Sequence, residues 1–228
     1  NFPTCPYPNP EMPATMALGL SYARRAGAEI FLATDPDCDR IGVAARKPDG
    51  EYTLFTGNEV GLLLLEYICE QLAAQHRMPK HPVFIKTIVT SPLAEHIAQH
   101  YGVETRNVLT GFKFIGEQLG ALERRGRADD YIFGFEESCG YLRGSYVRDK
   151  DAVVGAMLVC EMFSFYKSQG ISLSEALERL YAKYGYCLNT LLSYEFDGAA
   201  GAEKIRRLMA SFRSEITELG GQAVEHLL

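Results

Sequence analysis

Short apolar runs alternate with stretches of helical periodicity along most of this 228-residue chain. Met16, Leu18, Leu20 and Tyr22, set among small residues before Gly27, predict a helix over Ala14–Ala26. Ile30-Phe31-Leu32-Ala33 reads as a buried strand within Glu29–Thr34, and Ile41–Ala45 as a second one beyond the polar loop Asp35–Arg40. Asp49-Gly50 is a hairpin-type turn before Tyr52–Phe55, which closes a first, partial domain near residue 56. From there the alternation is regular. Asn58 is placed to cap a helix running to about Gln75, and Val83–Val89 is a strand. Ser91 and Pro92 fit the cap and first turn of a helix ending at Gly102. The strand Val103–Val108 and the helix Phe112–Arg124, with Thr110 as its cap, come next. The strand Tyr131–Phe135 leads into a long loop, Glu136–Asp151, and a helix over Ala152–Gln169. Ser172 and Glu175 form a capping box for a helix to about Tyr184. Beyond it, Leu188–Phe196 reads as a strand and Ala199–Leu219 as a helix. Strand–helix alternation of this kind predicts a layered α/β fold with a mixed, mostly parallel sheet.

Composition narrows the function classes. Lys+Arg number 23 against 29 Asp+Glu, a net charge of −6, which disfavours nucleic acid as a partner because a phosphate-backbone binder needs a basic face. No apolar run approaches the roughly 18 residues of a membrane span; Val60–Leu65 is interrupted at Glu66. The six cysteines are scattered with no C-x-x-C pair, and His96 and His100 lack the H-E-x-x-H context of a zinc site. Reduced thiols and a cytoplasmic setting are the expectation. The chain opens on Asn1, and five of its ten prolines fall in the first thirteen residues, as expected of a piece beginning inside a longer protein.

The sharpest chemical signal is Asp35-Pro36-Asp37-Cys38-Asp39-Arg40, directly after an apolar strand. Three carboxylates at alternating positions can converge on a hard cation and would repel one another without it. An EF-hand is excluded, since Arg40 and Arg46 stand where that loop needs Gly and Glu. Three side-chain ligands leave open positions, which suits Mg²⁺ completed by a phosphate oxygen, and Arg40 can grip the same phosphate. The second signal is Phe135-Glu136-Glu137-Ser138-Cys139-Gly140-Tyr141, whose Glu and Ser side chains suit sugar hydroxyls. Ten residues on, Arg148-Asp149-Lys150-Asp151 precedes a helix; Lys150 could meet phosphate or move a proton, or the cluster is a solvated helix start capped by Asp151. Thr110-Gly111-Phe112-Lys113 enters a helix at a position attractive to anions, and is equally an ordinary helix start.

Together the D-P-D-x-D-R loop, T-G-F-K, F-E-E-S-x-G-Y and R-D-K-D resemble the α-D-phosphohexomutase superfamily, in particular its bacterial phosphoglucomutase/phosphomannomutase members. The resemblance implies that residues 1–55 are the second half of the family's metal-binding second domain. Residues 56–185 would be its sugar-binding third domain, and 186–228 the linker and start of the fourth. It implies that Asp35, Asp37 and Asp39 hold Mg²⁺, that Arg40 approaches the phosphoserine and substrate, and that Lys150 contacts substrate or assists proton transfer, a task for which Lys113 is a second candidate. Thr110, Lys113, Glu136 and Ser138 would bind substrate, with Glu136 and Ser138 reading sugar hydroxyls. The substrates implied are hexose 1-phosphate and 6-phosphate, of glucose or mannose, with hexose 1,6-bisphosphate between them. Two departures stand out. Tyr141 occupies the place where some members end the sugar loop in His. No S-H-N-P sequence, the context of the family's phosphoserine, occurs in the 228 residues, nor does the fourth domain's phosphate-binding loop. The parent protein would be the enzyme, and this piece by itself is expected to be inactive. Two rivals remain: an aspartyl-phosphate transferase with Asp35 as nucleophile, and a non-catalytic module that binds Mg²⁺ or sugar phosphate.

Overall fold

A computed structural model describes residues 2–190, 192, 194–214, 216–219 and 221–224. The chain divides into two compact units, Asn1–Asn189 and Thr190–Leu228. The first begins with helix α1 (Pro13–Ala26), which has Pro in its first turn and ends on Gly27 in the left-handed conformation. A three-stranded antiparallel meander follows: β1 (Ile30–Thr34), β2 (Ile41–Arg46) and β3 (Tyr52–Phe55). Met16 and Leu20 of α1 pack with Ala44 on one face of this sheet, while Ile41, Val43 and Phe55 face the main core. The acidic stretch 35–40 is therefore a hairpin loop between antiparallel strands, and its ends are held together by the Thr34↔Ile41 pair.

The second layer system contains α2 (Gly57–Ala74), β4 (Val83–Thr87), α3 (Leu93–His100), β5 (Glu104–Val108) and α4 (Phe112–Arg124), followed by a 3₁₀ turn over Ala128–Asp130. Then come β6 (Tyr131–Glu136), β7 (Gly140–Leu142), α5 (Ala152–Ser168) and α6 (Leu173–Tyr184). The sheet order is β5-β4-β6-β7, with β4 parallel to both neighbours and β7 antiparallel to β6. Val83 and Ile85 point towards α4 and Phe84 towards α2, so the period-2 alternation of one strand supplies two cores. Leu62–Leu65 of α2 are all buried, because β6 covers one side of this helix and α3, α5 and α6 the other.

The α/β class and the mixed sheet are as expected, but parallel pairing is confined to the second sheet. The cap expected of Asn58 belongs to Thr56, which forms a full capping box with Glu59; Asn58 Oδ1 instead accepts from Ser91 N at 2.9 Å. The Ser91 hydroxyl does not cap α3, and Thr110 does not cap α4, whose first residue follows Gly111 at φ 119°. Asp151 does cap α5, accepting from Val153 N and Val154 N, and Ser172 caps α6. The long loop after β6 conceals β7, which the Gly in its sequence obscured.

The second unit holds α7 (Gly198–Phe212) and a short hairpin of β8 (Glu218–Leu219) and β9 (Gln222–Ala223). Helix α7 stops earlier than the predicted Leu219. The strand expected over 188–196 does not form at its described residues; positions 191 and 193 lie outside them. No described helix is long and apolar enough to cross a membrane.

Candidate active site

The β1–β2 hairpin loop is built around Asp35. Its Oδ1 accepts from Asp39 N at 3.1 Å and Arg40 N at 3.0 Å, and Cys38 N bonds Asp35 O with Cys38 at φ 60°. This winding turns three carboxylates towards one point: Asp35, Asp37 and Asp39 each place an oxygen within 4.8 Å of the others. Burial, and the neighbouring Asp39 charge, raise the Asp35 carboxyl above its ordinary range against the pull of the backbone N–H of Arg40. Asp39 moves the other way: burial would raise it, but the hydrogen bond from Lys150 holds it low. Arg40 lies alongside, with Nε 3.9 Å from both Asp35 Oδ2 and Asp39 Oδ1, and pairs with Glu11. Glu11 arrives on the proline-rich opening segment, where Pro10 packs on Gly42 of β2.

The second sheet delivers its residues to the same place. Arg40 forms an isolated antiparallel bridge with Gly140, Ile41 N donates to Cys139 O at 3.0 Å, and Ala152 N donates to Cys38 O at 3.1 Å. These bonds dock the acidic hairpin onto the start of β7 and the start of α5. Lys150 then reaches across: its Nζ is 2.8 Å from Asp39 Oδ2 and 3.9 Å from Glu136 Oε1, with the side chain only 12% exposed. Burial alone would lower the Lys150 ammonium, but Asp39, Glu136 and Asp149 outweigh it and keep the proton on. Lys150 thus places a positive charge between the acidic hairpin and the end of β6. Glu136, at the end of β6, is raised by burial, with Lys150 opposing. Ser138 is half-buried in the tight loop between β6 and β7.

The T-G-F-K segment comes partly into the cluster. Lys150 Nζ sits 5.9 Å from the Phe112 ring centre, and Gly116 of α4 leaves room for Arg148 O, which a Cβ would meet at 2.3 Å. Thr110 is exposed at the mouth of this helix, and Lys113 is exposed with its Nζ over Phe114 at 4.9 Å. Neither is drawn to the Asp39–Lys150 pair by a direct contact.

The parts played by Glu11, Glu137 and Lys86 were not legible in the sequence. Glu11 carried no motif. Glu137 turns away from Glu136 and accepts from Thr87 Oγ1 at 3.0 Å and Thr90 Oγ1 at 3.4 Å. Lys86, 2% exposed, holds the Thr87–Thr90 turn by reaching Thr90 O at 3.3 Å and pairs with Glu95 at 3.2 Å. A lysine inside the apolar run of a predicted strand was the one available signal.

Comparison with known proteins bears on these motifs. Residues 56–184 match the family described as Phosphoglucomutase/phosphomannomutase, alpha/beta/alpha domain III, and residues 1–50 match its domain II. A phosphoglucomutase of Staphylococcus saprophyticus is 40% identical over 217 residues, covering 94% of this chain and 38% of its own. A phosphoglucomutase of Staphylococcus aureus is 38% identical over 232 residues, covering 100% and 41%. The chain thus spans about two fifths of the length of these relatives. Among solved structures, a phosphoglucomutase/phosphomannomutase family protein of Burkholderia thailandensis has TM-score 0.57 at 19% identity, covering 76% of this chain and 33% of that one. The parafusin (phosphoglucomutase) of Paramecium has TM-score 0.56 at 18% identity, covering 78% and 30%. These two likenesses concern the fold. The matched ranges contain the acidic hairpin, the F-E-E-S loop and the R-D-K-D segment in full, and the chain belongs to the phosphoglucomutase/phosphomannomutase family.

Proposed function

We propose that this chain is the metal- and sugar-binding part of a phosphohexomutase, which interconverts hexose 1-phosphate and hexose 6-phosphate of glucose or mannose. One observation carries the reading: Lys150 crosses Gly140 of the sugar loop to lie 2.8 Å from Asp39 of the acidic hairpin. Three motifs distant in sequence thereby share one place.

The acidic hairpin fits a hard cation. Asp39 Oδ1 is buried without a hydrogen-bond partner, and the donor set is all carboxylate oxygen, which suits Mg²⁺. Asp35, Asp37 and Asp39 would hold it, and when bound it neutralises charge on a phosphoryl group. Arg40 would clamp that phosphoryl group with its planar fork, and Lys150 would add a second fixed positive charge. Glu136 would accept from vicinal sugar hydroxyls and Ser138 would donate or accept, a pattern readable in either orientation of a flipped hexose 1,6-bisphosphate. Thr110 and Lys113 would meet substrate at the N-terminal end of α4. The serine that carries the phosphate would lie in an S-H-N-P context, which these 228 residues do not contain. The domain reading of 1–55, 56–185 and 186–228 is part of the proposal, supported by the matched ranges 1–50 and 56–184. A cytoplasmic setting belongs to it as well, supported by six free cysteines.

The aspartyl-phosphate reading is disfavoured by Asp35 itself, whose Oδ1 is committed to two backbone N–H groups of its own loop. Calorimetry on the chain with Mg²⁺ and glucose 1-phosphate, with and without Asp37→Ala, tests the proposal. The expected result is Mg²⁺ binding lost in the variant and sugar-phosphate binding strengthened by Mg²⁺ in the wild type. Sugar-phosphate binding indifferent to both would overturn it.

A further inference from the structure

Two glutamates stand side by side at 136 and 137, and only one of them faces Lys150 and the acidic hairpin. Glu136 is the last residue of β6, so the alternation of an extended strand sends Glu137 towards the opposite side. What receives it there is a small polar site at the end of the adjacent parallel strand. Thr87 and Thr90 are both buried, their hydroxyls are 2.7 Å apart, and both lie within hydrogen-bond reach of the same Glu137 oxygen. The turn that carries them is closed by Thr90 N to Thr87 O at 3.1 Å and by the buried Lys86 ammonium on Thr90 O. The other side of the loop has no slack either. A Cβ on Gly57, the first residue of α2, would lie 2.0 Å from Glu137 O, and Tyr141 OH donates to Gly57 O at 3.0 Å. Cys139, between them, takes φ 63°.

We infer that Glu137 is the positioning residue of the sugar loop: Thr87 and Thr90 hold its carboxylate, and this decides that Glu136, with Ser138, is presented to the sugar. The inference rests on the proposed mutase reading for its functional consequence, while its geometric part stands apart from it. Were the Thr87–Thr90 anchor lost, the loop could rotate and offer either carboxylate, and a sugar would bind a mixture of loop states.

The test uses two readouts. In the 228-residue chain without ligand, amide hydrogen exchange over residues 136–140 should rise about tenfold in Glu137→Ala and in Thr87→Val, and stay near wild type in Glu137→Gln, whose amide oxygen still accepts from the threonines. The Glu137→Ala variant should remain folded, because the two threonine hydroxyls still bond each other. In the full-length protein, KM for glucose 1-phosphate should rise about tenfold in Glu137→Ala with kcat within a factor of about two, and Glu137→Gln should restore it. The double variant Thr87→Val/Glu137→Ala should be no worse than Glu137→Ala alone. Unchanged exchange and KM in Glu137→Ala, or additive losses in the double variant, would overturn the inference. A wild-type protein without mutase turnover, in which exchange nevertheless responds as stated, would refute the mutase reading and leave the anchoring role standing.

Discussion

Lys150 Nζ and Asp39 Oδ2 are 2.8 Å apart, joining a residue that precedes α5 to the acidic hairpin of the other sheet. The pair makes Lys150 a competitor for any cation placed on the three aspartates. Its fixed positive charge disfavours a second one nearby, while it favours a phosphate that would bind both.

From this opposition comes the first prediction. Lys150→Met, which keeps the length of the apolar stem, should tighten Mg²⁺ binding to the chain on the order of tenfold. The same change should weaken glucose 1-phosphate binding in the presence of Mg²⁺. Titration calorimetry at low and high salt reads both effects, and the gain for Mg²⁺ should shrink with salt. Equal weakening of both ligands would refute the opposition.

A second prediction concerns the aspartates without metal. Three carboxylate oxygens within 4.8 Å repel one another, so Asp37→Ala should leave the melting temperature in EDTA unchanged or slightly higher. With saturating Mg²⁺ the order should reverse, since only the wild type gains from binding. A melting temperature that falls in EDTA would mean that Asp37 holds the loop together by itself.

Gly140 gives a third. A Cβ there would meet Lys150 Cδ at 2.5 Å and Glu136 Oε1 at 3.1 Å, so Gly140→Ala should push Lys150 off Asp39. The lysine stem can yield, so the expected stability loss is modest, about 1–2 kcal/mol. The Mg²⁺ affinity of this variant should shift in the same direction as that of Lys150→Met. Urea unfolding and calorimetry on one preparation check both.

A fourth prediction turns on the cap of α5. Asp151 accepts from Val153 N at 2.8 Å and Val154 N at 3.1 Å, so Asp151→Ala should cost about 1 kcal/mol. Burial would raise the Asp151 carboxyl, but the Tyr146 hydroxyl and the two backbone N–H groups hold it below 3.8. A depressed carboxyl contributes stability that is present above its unfolded value and lost as pH falls through the folded value. The difference between wild type and variant should therefore be constant near neutrality and shrink below about pH 4, as denaturant melts along a pH series would record.

A fifth is catalytic. The 228-residue chain alone should give no detectable turnover in a coupled glucose 1-phosphate assay, since no serine in it stands in an S-H-N-P context. Robust turnover would show that the phosphate carrier lies within the chain.

Most elements were legible because their local signals agree: short continuous apolar runs for β4 and β6, Gly27 after α1, Asp151 and Ser172 ahead of α5 and α6. Failures fell where local chemistry had two solutions. Thr56 and Asn58 can both cap a helix, and the capping box with Glu59 settled the choice for Thr56. Leu188–Phe196 has strand-like composition, yet its described residues pair with no strand, and a strand without a ladder partner leaves its backbone unsatisfied.

The sequence by itself determined which side chains could do chemistry, because three aspartates at alternate positions, a Glu-Ser loop and an R-D-K-D cluster are properties of local order. It could not determine that they meet. That depended on backbone bonds from Ile41 to Cys139 and from Ala152 to Cys38, more than 90 residues apart in each case, which set the hairpin against β7. The family resemblance named Glu136 and passed over Glu137, but local order held no physical reason for the choice. Neighbours in an extended chain face opposite ways, and only the folded sheet decides which side holds Lys150 and which holds Thr87 and Thr90.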